Sequence, residues 1–263
     1  MNNVSRTLFI PLYGKACISR QGIILHDPDA ERIWAAEGFP FRGRAKSKWL
    51  AYNMAMRARV FDDWTEAQLK KYPDALVLHA GCGLDSRAFR IRQPYREWID
   101  GDLAEVIAVR RQYFDETATY HMQALDVTDT VQLEALPQSP VCIVVMEGLS
   151  MYLTTEQLHT FLQVLHRKYP EIHILMDIYT EFGARASRHA NPVNETGVTQ
   201  LYGIDDIDSL LKGTSLRFKA EYMFTPDHLI RELKPAERVL FHLLFTGGMY
   251  RRIYRLLEME SAS

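Results

Sequence analysis

Between residues 73 and 179 the hydrophobic pattern alternates between strand-like runs and helical periods. Ala75 to Ala80 is a short apolar run with the length and flanks of a buried strand. It stops at Gly81-Cys82-Gly83, and a helix is expected to follow. Glu97 to Ile99 reads as a second strand, ending in Asp100-Gly101-Asp102. Leu103 to Phe114 then carries apolar residues at 103, 106, 107, 113 and 114, one face of a helix. Tyr120 to Ala124 reads as a third strand, leading into Leu125-Asp126-Val127-Thr128-Asp129, with Asp129 as the cap of a helix from Thr130 to Leu136. Val141 to Met146 is the strongest buried-strand run and ends at Glu147-Gly148. Thr154 and Gln157 have capping-box spacing, and Leu158, Phe161, Leu162, Leu165 and Tyr169 form the apolar face behind them. Glu171 to Asp177 is a fifth strand, ending in another acid. Such alternation predicts an α/β fold, a mostly parallel sheet with helices on both faces.

The flanks are less regular. Residues 1–44 are punctuated by Pro11, Gly14, Gly22, Pro28, Gly38, Pro40 and Gly43 and read as irregular, apart from a short helix from Ala30 to Glu37 capped by Asp27. Ser47 to Tyr72 reads as a longer helix, with Trp49, Tyr52, Met56, Val60 and Trp64 on its apolar face and Arg57 and Arg59 as solvated residues. Thr180 to Gly213 is polar and breaks the rhythm. Its place after a strand suits a lid or acceptor-binding segment. Leu216 to Phe224 alternates like a strand, and Thr225-Pro226-Asp227 opens a helix. Arg251 to Glu258 fits a last strand, although Pro235 to Glu260 also fits a helix. The whole chain, 1–263, reads as a single domain: cap 1–72, cofactor-binding core 73–179, insertion 180–213 and sheet completion 214–263.

Glycines where a strand meets a helix permit angles that a Cβ forbids and let a ligand approach the main chain. The dinucleotide fingerprint wants a third glycine, and Ser86 stands in its place. Alone, this tripeptide is a tight turn. The acids beyond it change the picture. Asp102, with Asp100 as rival, lies where a carboxylate grips ribose hydroxyls. Asp126 can accept from an adenine amino group, and Glu147 ends the next strand. Carboxylates around the crevice disfavour a pyrophosphate, which needs amides and helix dipoles. They suit a cofactor with ribose hydroxyls, an amino group and net positive charge, such as S-adenosylmethionine. An NAD-type oxidoreductase is the alternative.

At 263 residues, 47% hydrophobic and 24% charged, with net charge −2, the chain can build a large core and has no electrostatic reason to bind nucleic acid or an anionic membrane. It has no apolar run of membrane-spanning length and no signal-peptide pattern. Cys17, Cys82 and Cys142 are far apart, which favours a reducing, cytoplasmic compartment with neither disulfides nor a metal site. Cys82 fits as a small residue filling the turn, and Cys142 as core.

Gly81-Cys82-Gly83-Leu84-Asp85-Ser86-Arg87, Asp100-x-Asp102 and Glu147-Gly148-Leu149-Ser150-Met151-Tyr152-Leu153 resemble the leucine carboxyl methyltransferase superfamily. So do Ile10-Pro11-Leu12-Tyr13-Gly14-Lys15-Ala16, His26-Asp27-Pro28, Arg57-Ala58-Arg59 and Tyr202-Gly203-Ile204-Asp205-Asp206. The likeness runs to the tetracenomycin-type polyketide-synthesis O-methyltransferases and covers nearly the whole chain. It implies a class I S-adenosylmethionine-dependent methyltransferase, Rossmann-like, with a seven-stranded sheet and a helical cap. Gly81 and Gly83 would line the methionine and ribose part, Asp102 the ribose, Asp126 and Val127 the adenine, and Glu147 the amino group. Lys15 and Arg57, with Arg59 behind, would meet the cofactor carboxylate. At 15 the branch more often has arginine; lysine keeps the charge without the fork. Asp85 and Arg87 would brace the turn. The implied reaction is in-line methyl transfer to a hydroxyl or carboxylate of a small molecule rather than a protein. Acceptor-side candidates are Tyr152, Tyr179 and His189, none of them assigned as a catalytic base, and Arg185 and Arg188 could meet an anionic acceptor. A non-catalytic S-adenosylmethionine-binding protein is a further reading.

Overall fold

The computed structural model describes residues 5–38, 46–190 and 200–261. A seven-stranded sheet runs in the order β3-β2-β1-β4-β5-β7-β6. Its strands are β1 Leu76–Ala80, β2 Glu97–Asp102, β3 Tyr120–Ala124, β4 Val141–Met146, β5 Glu171–Tyr179, β6 Leu216–Tyr222 and β7 Tyr254–Ser261. β1 to β5 are parallel, and β7 lies antiparallel between β5 and β6. β3 and β4 span the runs expected of them, while β2 and β5 extend further, to Asp102 and Tyr179. Parallel strands covered on both faces read as continuous apolar runs, as β1 and β4 do.

Among the described residues, three α-helices precede the sheet: α1 Phe9–Ser19, α2 Pro28–Glu37 and α3 Lys48–Lys71. Between the strands come α4 Arg87–Arg90, α5 Ala104–Arg110, α6 Thr130–Glu134, α7 Thr155–Lys168, α8 Glu181–Ala190 and α9 Ile207–Leu211. The short α10 Asp227–Ile230, then α11 Pro235–Phe245 and α12 Gly248–Arg251, fill the interval before β7. The pleat divides the core. Val77, Ile143 and Leu175 pack with α1, α2 and α3, whereas Leu76, Leu78, Val144 and Ile174 pack with α6, α7 and α9.

The expected caps are present. Asp27 accepts from the Ala30 amide at 2.9 Å, and Asp129 accepts from the amides of Val131 and Gln132. Thr154 and Gln157 form the reciprocal capping box. Leu103 to Phe114 is shorter than its pattern suggested, with helix only over Ala104–Arg110.

Two segments differ from expectation. The stretch read as irregular contains α1, and the residues that masked it have particular places. Pro11 lies in the first turn, where no intrahelical donor is required. Gly14 lies where α1 crosses α3 so closely that a Cβ would stand 2.8 Å from that of Met54. The 180–213 insertion likewise holds α8 and α9. Gly183 seats α8 against the start of β7, where a Cβ would fall 2.1 Å from the Ile253 carbonyl oxygen. The two readings of the C-terminal stretch divide it: helix through Phe245, strand from Tyr254. Among the described residues no helix is long and apolar enough to cross a membrane.

Candidate active site

The sheet register sets the ends of β1, β2 and β4 level, with Ala80 opposite both Gly101 and Met146. The strand order reverses at β1 and β4, and there a cavity of about 390 Å³ opens. Gly81, Gly83, Asp102, Asp126, Val127, Glu147, Lys15 and Arg57 all line it, as do Tyr152 and Tyr179. His189 lies on α8, but its side chain is outside the described residues, as is that of Arg188. Arg59 is elsewhere, bonded to Asp63 at 2.8 Å and to the Ile24 carbonyl. Arg185 is an exposed partner of Glu181.

Gly81 and Gly83 have φ of +69° and +52°, angles that side chains resist. Both amides of the Gly81-Cys82 step donate to the Gly101 carbonyl, which ties the turn to the end of β2. The 3₁₀ turn Ser5–Leu8 closes over it from the other side: a Cβ on Gly83 would meet that of Leu8 at 3.3 Å.

Asp102 and Asp100 separate cleanly. Asp100 is fully buried and bonded to His79, Trp98, Arg110 and Tyr120; it organises the core and does not line the cavity. Asp102 does line it, accepting from the Gly83 amide at 2.8 Å and the Leu103 amide at 2.7 Å. Burial pushes its carboxyl above the usual range despite those two amides. Asp126 holds an Asx turn on Thr128 at the cavity edge.

Behind the cavity lies a network of buried ions. Lys15 meets Asp85 at 2.9 Å, Arg90 meets Asp27, Asp62 and Asp85, and Arg87 meets Asp62, Asp85 and Glu147. Arg57, far from solvated, meets Glu147 at 2.9 Å and Asp177 at 3.1 Å. Four cations thus face five carboxylates. Burial pushes Glu147 upward, but Arg57 and Arg87 outweigh it and hold the carboxyl at about 2, against an ordinary 4.5. Burial wins at Asp177, which is raised despite Arg57.

The Glu147 shift carries a stability consequence. A depressed carboxyl stabilises the fold above its unfolded pKa and loses that contribution as pH falls through the folded one. Its contribution, on the order of 3 kcal/mol, should therefore disappear between pH 4.5 and about 2. Denaturant melts of the wild type and Glu147→Gln at stepped pH should show a gap that closes over this window. A gap independent of pH would mean that Glu147 is not held ionised by its arginines.

Of the remaining titratable groups at the cavity, His79, Tyr152 and Cys82 are poorly placed to take a proton. His79 gives its Nδ1 proton to Asp100 at 3.0 Å and accepts from Arg87 at Nε2, 3.2 Å away. Tyr152 is hydrogen-bonded to Thr7, and burial pushes its hydroxyl pKa up. Burial likewise raises Cys82, which leaves it a poor nucleophile. Among the described residues, no group of His, Cys, Asp and Glu could hold a metal ion.

Residues 14–166 match the profile of the leucine carboxyl methyltransferase family. The tetracenomycin polyketide synthesis O-methyltransferase TcmP of Streptomyces glaucescens is 31% identical over 98% of this chain and 97% of its own length. The chain belongs to the leucine carboxyl methyltransferase family. Another relative, the S-adenosyl-L-methionine-dependent methyltransferase dpfgK of Gibberella zeae, is 30% identical over 62% of this chain and 60% of its own. Among solved structures, the magnesium protoporphyrin IX methyltransferase of Synechocystis superposes with a TM-score of 0.51 at 13% identity, covering 88% of this chain and 93% of that one. The fold is that of the class I S-adenosylmethionine-dependent methyltransferases, and the oxidoreductase alternative is not favoured.

Two features of this methyltransferase's cavity were not singled out from sequence. Tyr254 lines it from β7, and Asp177 stands behind Arg57. Asp177 had a signal, an acid near the end of a strand. Tyr254 had none, because its place depends on an antiparallel strand inserted beside β5, which sets it opposite Tyr179.

Proposed function

We propose that the chain is an S-adenosylmethionine-dependent O-methyltransferase acting on a small molecule whose oxygen arrives already ionised, a carboxylate or an acidic phenol. The supporting observation is the cavity itself. It gathers the glycine turn, Asp102, Asp126 and Glu147 from successive strand ends, and its His79 and Tyr152 are otherwise engaged. The donor set fits the cofactor. Asp102 offers acceptors for ribose hydroxyls, Asp126 for an adenine amino group, and the network around Glu147, five carboxylates to four cations, suits a cationic ligand. Lys15 and Arg57 would hold its carboxylate. When bound, the cofactor supplies an activated methyl on a sulfonium. The chain's task is then to align the acceptor oxygen and to exclude water, which is catalysis by proximity. Thr7, Leu8, Met54, Met151, Tyr152 and Tyr179 would form the acceptor side; no described residue of the 180–213 segment lines the cavity, and 191–199 lie outside the described residues.

Titration calorimetry should give micromolar-range binding of S-adenosylhomocysteine and none of NAD. Transfer of labelled methyl should then favour carboxylic acids and acidic phenols over aliphatic alcohols, at rates flat across neutral pH. Binding without turnover on any acceptor would leave a sensor of the cofactor. A rate climbing with one titration near neutrality would reveal a general base and overturn the ionised acceptor.

A further inference from the structure

Arg57 enters the cavity from α3 with two of its nitrogens already held. Nε donates to Glu147 at 2.9 Å. Nη1 donates to Asp177 at 3.1 Å and, at 2.7 Å, to the hydroxyl of Tyr254. That hydroxyl donates in turn to Asp177. Tyr254 has little freedom of its own. Its ring stacks on Phe224 with centroids 4.4 Å apart and planes 8° apart, and lies 4.7 Å from the ring of Tyr179. A planar guanidinium fixed at Nε and at Nη1 has its plane determined, so Nη2 has one place to go. That place is over Gly148, where a Cβ would come within 3.4 Å of Nη2.

We infer that Tyr254 is a positioning residue: its hydroxyl sets the plane of Arg57 so that the guanidinium meets the amino-acid carboxylate of the bound cofactor. The role rests on the cofactor reading above. Glu147 alone would leave the guanidinium free to swing about the Nε contact. Asp177 alone holds Nη1 by the longer of its two bonds. The tyrosine supplies the second constraint and adds no further negative charge.

The test removes the hydroxyl and, separately, the ligand's carboxylate. Tyr254→Phe keeps the ring for Phe224 and Tyr179. Wild type and variant are titrated with S-adenosylhomocysteine and with methylthioadenosine, which keeps the adenosine and the sulfur but lacks the amino-acid end. The variant should bind S-adenosylhomocysteine about tenfold more weakly, the loss of one well-placed charged contact, and methylthioadenosine as the wild type does. Asp177→Asn, which loosens the same clamp from its other side, should show the same split. An equal loss for both ligands would make Tyr254 merely structural and overturn its role. So would unchanged S-adenosylhomocysteine binding in a folded Tyr254→Phe. If the wild type binds neither ligand, the cofactor reading fails first and this role falls with it.

Discussion

Arg87→Ala should cost about 3–5 kcal/mol of folding stability, a fall in Tm of roughly 10 °C. Arg87 is fully buried, and its guanidinium serves Asp62 at 2.7 Å, Asp85 at 3.4 Å, His79 at 3.2 Å and Glu147. Truncation strips one charge from the middle of the network. Asp62 keeps Arg90, Asp85 keeps Lys15 and Arg90, and Glu147 keeps Arg57, but five buried carboxylates then face three cations in low dielectric, which is the costly way to break a buried ion network. Arg87→Lys should recover only part of the loss, because one ammonium cannot reach partners that the fork serves from three nitrogens. Denaturant melts would show a lower midpoint at unchanged slope. A loss below about 1 kcal/mol would mean that water already solvates the network, as at a surface pair.

The second large effect falls on binding rather than folding. Asp102→Ala should weaken S-adenosylhomocysteine by about 1–3 kcal/mol, or roughly tenfold to a hundredfold, by removing charge-assisted hydrogen bonds to the ribose. Because burial raises the Asp102 carboxyl above the usual range, acidification should reach it early. The ionised form is the one that accepts from hydroxyls, so affinity should decline as pH falls through that raised value. Asp102→Asn should bind weakly and lack this portion of the pH dependence. Calorimetry across a pH series measures both. A folded Asp102→Ala that binds like the wild type would remove this residue from the ligand site and leave it only as the brace of Gly83 and Leu103.

The core of the sheet was legible because doubly covered parallel strands leave apolar runs and their glycine and acid ends mark the crevice. Asp102 could not be told from Asp100 by spacing, since they flank one glycine. The fold separates them: Asp100 is enclosed with His79 and Trp98, while Asp102 reaches the cavity. Arg57 looked solvated by local pattern, because its partners Glu147, Asp177 and Tyr254 are all far along the chain. The α1 helix was hidden by Pro11 and Gly14, whose helix-breaking reputations hold for helix interiors and solvent-facing turns. In α1 one sits in the first turn and the other under α3. Capping residues, which act over three positions, were readable at Asp27, Asp129 and Thr154, whereas Asp206, which caps α9 by accepting from the Ser209 amide, was not singled out as a cap.

The placement of β7 bears on how the protein comes into being. Its residues, Tyr254–Ser261, are made last among the strands yet lie between β5 and β6 rather than at an edge. During synthesis β5 therefore waits with one side open, and β6 has no partner in the sheet until β7 has been made. Exposed strand edges of that kind invite mispairing, and pairing across so long a separation is slow. A nascent chain stalled before residue 254 should thus be a client for chaperones and unable to retain ligand, since the hydroxyl that clamps Arg57 arrives with the same strand. Ligand competence and resistance to aggregation would be acquired together, in the one step that seats β7.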